Sequence, residues 1–345
     1  MKYNQLGNTG LNVSELCLGT MTFGGEGDLW SQIGKLQIDE VSQIIKQAFD
    51  SGINFIDTAN MYSFGKSEIL TGTAIKKLGL PRDELIIATK ATGPMDEKPN
   101  GRGQSRYHLM NQVDASLKRL EIDHIDLYQL HAFDPLTPIE EALSTLNDLV
   151  RSGKVRYIGV SNWSGWQIMK AQGIAEKRNW ARPVSVQSFY TIASRDLERE
   201  VIPTVLDQQM GIMVWSPLAG GILSGKYSSD GKGPEGSRRT TFDFPPINKT
   251  RAFECVAAMR PIADRNKGSV AQVALAWLLH QKAVTTVIIG AKNTVQLNDN
   301  IRATQLKLSS DDLEILNKVS QIPMEYPGWM IERQSEYRRN HLNQQ

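Results

Sequence analysis

The sequence predicts a closed (β/α)8 barrel, and three observations lead to this fold class. Short apolar runs alternate with helical patterns along most of the 345-residue chain. Such alternation requires parallel strands joined by right-handed crossovers. Eight strands over roughly 300 residues favour closure over an open sheet. A doubly wound dinucleotide fold would need Gly-x-Gly-x-x-Gly opening a helix, and Gly24-Gly25-Glu26-Gly27 does not provide that spacing.

Each element follows from local patterns. Residues 3–15 predict a hairpin with its turn at Gly7-Asn8-Thr9-Gly10, and Leu16 to Thr20 predict the first barrel strand. The other strands are predicted at 53–57, 85–90, 125–131, 155–160, 184–188, 212–216 and 286–289. Helices are predicted at about 38–51, 67–78, 106–120, 138–152, 165–178, 197–209, 250–266 and 270–281, with Thr294 capping another. We expect one domain, 1–345, with the barrel at about 16–302 and a C-terminal helix and tail at about 303–345.

Composition excludes several classes of protein. The chain has 40% hydrophobic residues, 22% charged residues and a net charge of +2, without a basic stripe interleaved with aromatics, so no nucleic-acid partner is expected. Cys17 and Cys255 are too few for a disulfide framework or a zinc site, and no metal is predicted. The N-terminus lacks an apolar signal core, and the apolar helix near 270–279 is shorter than a membrane span. We therefore expect a cytoplasmic protein without a membrane partner.

Four polar residues fall at or just after successive strand ends. Asp57 ends one strand and Tyr62 follows on the next loop, while Lys90 and His131 end the next two strands. In a parallel barrel these ends meet at one face. A tyrosine has a pKa of about 10, a neighbouring ammonium lowers it, and a carboxylate keeps the ammonium charged. An imidazole can orient a carbonyl oxygen or relay a proton. The set is suited to protonating an alkoxide.

These residues lie in Asp-Thr-Ala-x-x-Tyr, Thr-Lys and Leu-x-x-Leu-His patterns, and residues 216–226 read Ser-Pro-Leu-x-x-Gly-x-Leu-x-Gly-Lys. From about residue 3 to residue 321 the chain resembles the aldo-keto reductases, nearest to the branch that includes potassium-channel β subunits. The resemblance implies catalytic Asp57, Tyr62, Lys90 and His131. It implies NADPH contacts from Thr20, Met21, Asp57, Ser161, Asn162, Gln187, Trp215, Ser216, Pro217, Leu218, Gly221, Lys226, Arg238, Gly290, Lys292, Gln296, Asp299 and Asn300.

The cofactor segment also has a physical logic. Trp215 offers a flat face for a nicotinamide ring, small residues after it let backbone amides approach a pyrophosphate, and Lys226 adds positive charge. Lys292, near a helix start, can pair with a 2′-phosphate, which favours NADPH/NADP+ over NADH. The branch has an uncharged residue at the Lys292 position and Glu at the Asp299 position, so this chain departs from it at both.

Aromatic loop residues predict a broad carbonyl-substrate pocket. The candidates for its walls are Phe23, Trp30, Phe64, Phe133, Trp163 and Tyr190. The aromatic segment Tyr326 to Met330 could cover this pocket, pack on the outside of the barrel, or contact another subunit. The oligomeric state is left open.

We expect an NADPH-dependent reductase of aldehydes and ketones in which Tyr62 is the general acid. The alternative is a cofactor-bound, redox-sensing regulatory subunit of a protein partner, as the channel β proteins are. A third hypothesis is a lyase or isomerase that uses Lys90 as a Schiff-base amine. The segment from Trp215 to Lys226 argues against it, because a lyase needs no stacked nicotinamide.

Overall fold

The computed structural model describes residues 1–228, 232–235 and 237–342. Its N-terminal hairpin pairs β1 (Tyr3–Gln5) with β2 (Asn12–Ser14) in antiparallel register, which confirms the predicted hairpin. The turn packs against the barrel, since a side chain at Gly7 (φ +60°) would lie 2.5 Å from the carbonyl oxygen of Val184. Leu6 is fully buried. The hairpin thus closes the end of the barrel where β8 begins.

Eight parallel strands form a closed barrel in the order β10-β3-β4-β5-β6-β7-β8-β9, which confirms the predicted fold class. The bounds of the strands are β3 Leu16–Gly19, β4 Phe55–Asp57, β5 Ile86–Ala91, β6 Ile125–Leu130, β7 Val155–Ser161, β8 Ser185–Phe189, β9 Gly211–Trp215 and β10 Val284–Ile289. Strand β6 is buried along its whole length. Continuous burial is typical of parallel strands that are covered on both faces.

The helices surround the barrel. Their bounds are α1 Asp28–Ile33, α2 Ile38–Asp50, α3 Lys66–Leu78, α4 Arg106–Leu120, α5 Ile139–Arg151, α6 Gly165–Arg178, α7 Val201–Asp207, α8 Arg238–Thr241, α9 Lys249–Arg265, α10 Val270–Leu279, α11 Thr294–Arg302, α12 Ser310–Val319 and α13 Gly328–Leu342. On α2 the buried residues Val41, Ile44, Ile45 and Ala48 form one stripe, as the helical period requires.

Two helix predictions are corrected. The helix expected at 197–209 contains only Val201–Asp207, and a separate 3-10 turn occupies Asp196–Glu198. It stops early because Gln209 adopts a left-handed conformation with φ 52°. The cap of α11 is Asn293 rather than Thr294, since the Asn293 side chain accepts the amide of Gln296.

Helix α10 is apolar on all sides because it is buried on all sides, against α9, β10 and α11. In the described part of the chain, no helix is long and apolar enough to cross a membrane.

The C-terminal tail is exposed. Tyr326 and Trp329 pack on each other at 6.1 Å between ring centroids and are 75% and 44% exposed. Arg199, in the loop after β8, holds the start of the tail through Glu325 and the carbonyl oxygen of Pro323. Among the described residues, the partly buried hydrophobic side chains packed on the cluster of Trp30 and Tyr62 are Met21, Met61 and Phe242, none of which belongs to the aromatic segment. Residues 343–345 of the predicted tail fall outside the described residues.

Candidate active site

Asp57, Tyr62 and Lys90 form one hydrogen-bonded group. Lys90, on β5, is fully buried, and its Nζ lies 2.6 Å from Oδ2 of Asp57 at the end of β4. The same Nζ donates to the carbonyl oxygen of Thr58 at 2.7 Å and to the hydroxyl of Tyr62 at 3.4 Å. All three ammonium protons therefore have acceptors, and one of these acceptors is the phenol.

Burial and charge act in opposite directions on this group. Burial raises the pKa of Tyr62, while Lys90 lowers it, and the net shift is upward. The sequence led us to expect a lowered pKa. Lys90 acts in the expected direction, but desolvation outweighs it. Burial lowers the pKa of Lys90, yet the attraction of Asp57 and Tyr62 prevails and raises it, so Lys90 remains charged.

His131 follows β6 and faces the phenol. The ring centroids of His131 and Tyr62 are 5.6 Å apart at an interplanar angle of 76°. Burial, assisted by the charge of Lys90, lowers the pKa of His131 to about 3. The imidazole is therefore neutral near pH 7 and can orient a carbonyl oxygen without carrying charge.

The structure adds a residue that the sequence analysis missed. Gln129, fully buried on β6, donates from Nε2 to Oδ1 of Asp57 at 3.1 Å, and Gln187 donates to the same oxygen at 2.9 Å. Gln187, expected to contact the cofactor, thus has its amide nitrogen on Asp57. Gln129 precedes His131 by two positions, and the two-residue period of a strand could have indicated that they share a side.

Asn162 connects the tetrad to the cofactor segment. Its Nδ2 donates to the carbonyl oxygen of His131 at 3.1 Å and to Oγ of Ser161 at 3.0 Å. Its Oδ1 accepts the indole N–H of Trp215 at 2.9 Å. The Trp215 ring stacks on the Phe244 ring, with 6.1 Å between the ring centroids and an interplanar angle of 9°. Three of the predicted cofactor residues are therefore in one network beside His131.

The predicted phosphate-binding loop folds back sharply after β9. The hydroxyl of Ser216 (φ 49°) accepts the amide of Gly220 at 3.1 Å. Gly220 and Gly221 have φ values of 64° and 95°, and a side chain at Gly220 would lie 2.6 Å from the carbonyl oxygen of Phe244. Pro217 is buried, and Leu218 packs against the core. Glycine is favoured at position 220 because its left-handed backbone disfavours a Cβ and the carbonyl oxygen of Phe244 leaves no room for one.

Cations converge at this loop. Burial lowers the pKa of Lys226, and the pKa of Lys292 is lowered by burial, by Lys226 and by Arg238. Burial also lowers the pKa of Arg238, whose buried Nε has no hydrogen-bond partner among the described residues. Like charges so close together favour an anion between them.

The predicted cofactor residues between 290 and 300 surround the β10–α11 junction. A side chain at Gly290 would meet nothing within 4 Å, so the approach to this residue is open. Gln296 accepts the amide of Lys292 at 2.9 Å, and Asn300 donates to the carbonyl oxygen of Gly290 at 3.3 Å. Asp299 accepts from Ser269, the N-cap of α10, and from Gln272 on α10, each at 2.7 Å. Asp299 therefore fastens α11 to α10.

The expected pocket walls divide into two groups. Trp30 contacts Tyr62 edge-on at 5.6 Å, and Trp30 and Phe64 line a cavity of about 180 Å³ with Met61 and Pro94. The ring of Phe133 packs against the ring of Trp163, with 5.2 Å between the ring centroids. A larger groove of about 430 Å³ on α9 contains none of the predicted site residues.

Two of the predicted wall residues, Phe23 and Tyr190, are buried. Phe23 is fully buried in the main core, where the loop after β3 pairs it with Leu36. Tyr190 is buried against Trp277, and its hydroxyl donates to Glu198 at 2.6 Å. Both side chains belong to the main hydrophobic core.

Thr20 and Met21 directly follow β3. Thr20 is buried, its hydroxyl is 2.8 Å from that of Ser67, and its amide donates to the carbonyl oxygen of Asp57. Met21 packs on the cluster of Trp30 and Tyr62. Thr20 thus supports Asp57, and Met21 lies beside the phenol.

The comparison with known proteins agrees with this geometry. The model of the "Aldo/keto reductase family" matches residues 15–321. The chain belongs to the aldo/keto reductase family. This aldo/keto reductase is 38% identical to "Uncharacterized oxidoreductase YrpG" of Bacillus subtilis, over 92% of this chain and 96% of that protein.

Of two other relatives, one is named as a reductase and the other as a channel subunit. The aldo/keto reductase is 34% identical to "Versiconal hemiacetal acetate reductase" of Aspergillus parasiticus, over 92% of this chain and 96% of that protein. It is also 34% identical to "Probable voltage-gated potassium channel subunit beta" of Arabidopsis thaliana, over 95% of this chain and 98% of that protein. Membership in the family supports carbonyl reduction in general with a nicotinamide cofactor.

Proposed function

We propose that the protein is an NADPH-dependent reductase of aldehydes and ketones, with Tyr62 as the general acid. One observation carries this proposal, namely that the ammonium of Lys90 reaches both the carboxylate of Asp57 and the phenol of Tyr62. A charged donor on the phenolic oxygen favours the tyrosinate that remains after proton transfer. The roles of the four residues follow from that arrangement.

The residues of this chain perform the proton chemistry. A bound nicotinamide cofactor supplies the hydride to the carbonyl carbon. The Tyr62 hydroxyl gives its proton to the carbonyl oxygen as that oxygen becomes an alkoxide, and Lys90 stabilises the resulting tyrosinate. Neutral His131 orients the same oxygen through a hydrogen bond. Asp57, held by Gln129 and Gln187, keeps Lys90 charged and in place.

The cations and the glycines of the predicted cofactor site fit a phosphorylated cofactor. Lys226, Arg238 and Lys292 place positive charge near the glycines at 220 and 221 and near the open backbone at Gly290. Pyrophosphate and 2′-phosphate both require such charge and such close backbone approach. We therefore assign NADPH, rather than NADH, as the preferred cofactor.

We also place the protein in the cytoplasm. Cys17 and Cys255 are buried and form no disulfide, which is consistent with a reducing compartment.

The test is to supply a panel of aliphatic, aromatic and dicarbonyl aldehydes and to measure turnover by the loss of NADPH or NADH absorbance. We expect turnover with NADPH, weaker turnover with NADH, and loss of turnover in Tyr62→Phe. Ser42→Ala, on the outer helix α2, is the matched hydroxyl-deletion control. Full turnover by Tyr62→Phe would show that Tyr62 is not the proton donor.

A second function is favoured by the relatives named as potassium-channel β subunits. Such a protein would bind NADPH and a protein partner, and the cofactor's redox state would regulate the partner. Quenching of tryptophan fluorescence by NADPH without reduction of any aldehyde in the panel would favour it. Rapid turnover of several aldehydes would favour the reductase.

A further inference from the structure

Tyr62 is followed by a strained turn. Ser63, Phe64 and Gly65 all adopt left-handed backbone conformations, with φ values of 49°, 53° and 91°. Glycine tolerates this region, whereas serine and phenylalanine are disfavoured in it. Consecutive non-glycine residues remain left-handed only where surrounding contacts hold them. The contacts that hold this turn therefore determine where the Tyr62 side chain lies.

The hydroxyl of Ser63 makes such contacts on one side. Ser63 is fully buried, and its Oγ accepts the amide of Gly25 at 2.9 Å and donates to the carbonyl oxygen of Phe23 at 3.2 Å. The approach is close, because a side chain at Gly24 would lie 2.9 Å from the Ser63 side chain. Two backbone groups of the loop after β3 are thus satisfied by one side chain of the Tyr62 turn.

The other end of the turn is held separately. A side chain at Gly65 would lie 2.7 Å from Cδ of Arg119. Arg119 pairs with fully buried Glu68 at 2.6 Å, and Glu68 also accepts the hydroxyl of Thr89, the residue before Lys90. This end therefore connects the turn to β5. The Ser63 end connects it to the loop that leads into α1.

The loop after β3 carries a wall of the pocket. It continues into α1, where Trp30 contacts Tyr62 edge-on. The bond from Lys90 Nζ to the Tyr62 hydroxyl, at 3.4 Å, is already at the long end of the hydrogen-bond range. A small relaxation of the turn would break it. Ser63 is thus placed to fix both the phenol and the wall beside it.

We propose that Ser63 is a positioning residue, whose hydroxyl holds the Tyr62 phenol against Lys90 and holds the loop bearing Trp30 against Tyr62. This inference rests on the proposed role of Tyr62 as proton donor. Ser63 touches neither the reacting atoms nor the cofactor. It acts through Tyr62 and Trp30.

The test uses two variants that remove the hydroxyl in different ways. Ser63→Ala keeps the Cβ and the backbone strain, whereas Ser63→Gly relieves the strain and so folds readily. Ser42→Ala removes a hydroxyl that bonds only the carbonyl oxygen of Ile38, and Lys267→Gly relieves a left-handed residue (φ 52°) after α9. These two variants control for hydroxyl loss and for strain relief.

We expect kcat for aldehyde reduction to fall roughly 10- to 100-fold in both Ser63 variants, as displaced catalytic groups commonly cause. The Kd for NADPH, from tryptophan quenching, should stay within about twofold. The rate of alcohol oxidation, which requires tyrosinate, should rise only at higher pH than in the wild type. The reason is that a phenol farther from Lys90 has a higher pKa. Both control variants should match the wild type.

Wild-type kcat and an unchanged pH profile in either Ser63 variant would overturn the inference, because both lack the hydroxyl. A loss confined to NADPH affinity or to melting temperature would overturn it too. If Ser63→Ala does not fold, Ser63→Gly decides. Tyr62→Phe separates the two proposals. If Tyr62→Phe is inactive while the Ser63 variants have normal activity, only the positioning role of Ser63 is refuted. If Tyr62→Phe is active, both the role of Tyr62 as proton donor and the role of Ser63 are refuted.

Discussion

Lys90 is the residue that connects the charges of the site, since its ammonium donates to Asp57, Thr58 and Tyr62. Its raised pKa is the opposite of what a Schiff-base lysine needs, because that amine must be neutral to attack a carbonyl. Burial keeps His131 neutral, and the charge of Lys90 assists it. The residue-scale geometry therefore supports proton transfer from Tyr62 and argues against the lyase hypothesis.

His131 gives a prediction for the pH dependence of stability. Its pKa of about 3 in the folded protein lies below the value near 6.5 expected in the unfolded chain. Between these values the unfolded state binds more protons, so the contribution of His131 is complete above about pH 6.5 and is lost as pH falls toward 3. We expect His131→Gln to unfold with a weaker pH dependence than the wild type between pH 7.5 and pH 5, measured by urea denaturation.

The control for this prediction is His124→Gln, since His124 lies beside Asp123 away from the site. If wild type and His131→Gln lose the same free energy of unfolding between pH 7.5 and pH 5, His131 is not held neutral by its surroundings.

At the scale of elements, the buried pair of Glu68 and Arg119 joins α3 to α4. Glu68 is fully buried and accepts from Arg119 at 2.6 Å and from Thr89 at 2.5 Å. Arg119→Met would leave an uncompensated buried carboxylate. We expect this to cost about 3–5 kcal/mol of the free energy of unfolding, measured in urea. Lys76→Met, which removes the exposed pair of Lys76 on α3 with Glu121 at the end of α4, should change stability little. Equal losses in both variants would contradict the account.

The β10–α11 junction gives the prediction for cofactor choice. Lys292 lies close enough to Lys226 and Arg238 for their charges to lower its pKa. If it binds the 2′-phosphate, Lys292→Met should raise KM for NADPH about tenfold and leave KM for NADH unchanged, as expected for the loss of one charge-assisted contact. Lys318→Met on α12 is the matched surface control. A parallel rise for both cofactors would place Lys292 on a group that NADH shares.

At the scale of the whole molecule, the barrel could be predicted because each strand and helix has a strong local pattern. Gly52, Gly153 and Gly211 mark the entries to strands, and alternation with helices leaves few topologies. The strand-end positions of Asp57 and Lys90 then follow from the fold. Local pattern could not show that Phe23 and Tyr190 are buried, because aromatic residues in loops suit a pocket and a core equally well.

The contacts within the site depend on tertiary geometry that no spacing encodes. Gln129 lies 72 positions from Asp57 and Gln187 lies 130 positions away, yet both amides meet one carboxylate oxygen. The strain at Ser63 is equally hidden, since serine in a turn gives no sign of a left-handed backbone. The net pKa of Tyr62 also required the extent of its burial to be known.

The central claim is that Tyr62 donates the proton during carbonyl reduction. The most direct measurement is single-turnover oxidation of bound NADPH by a saturating aldehyde, in the wild type and in Tyr62→Phe, with the Kd for NADPH measured on the same samples. We expect equal Kd values and a rate that falls at least about 100-fold in Tyr62→Phe, as the loss of a general acid requires. An unchanged single-turnover rate in Tyr62→Phe would contradict the account.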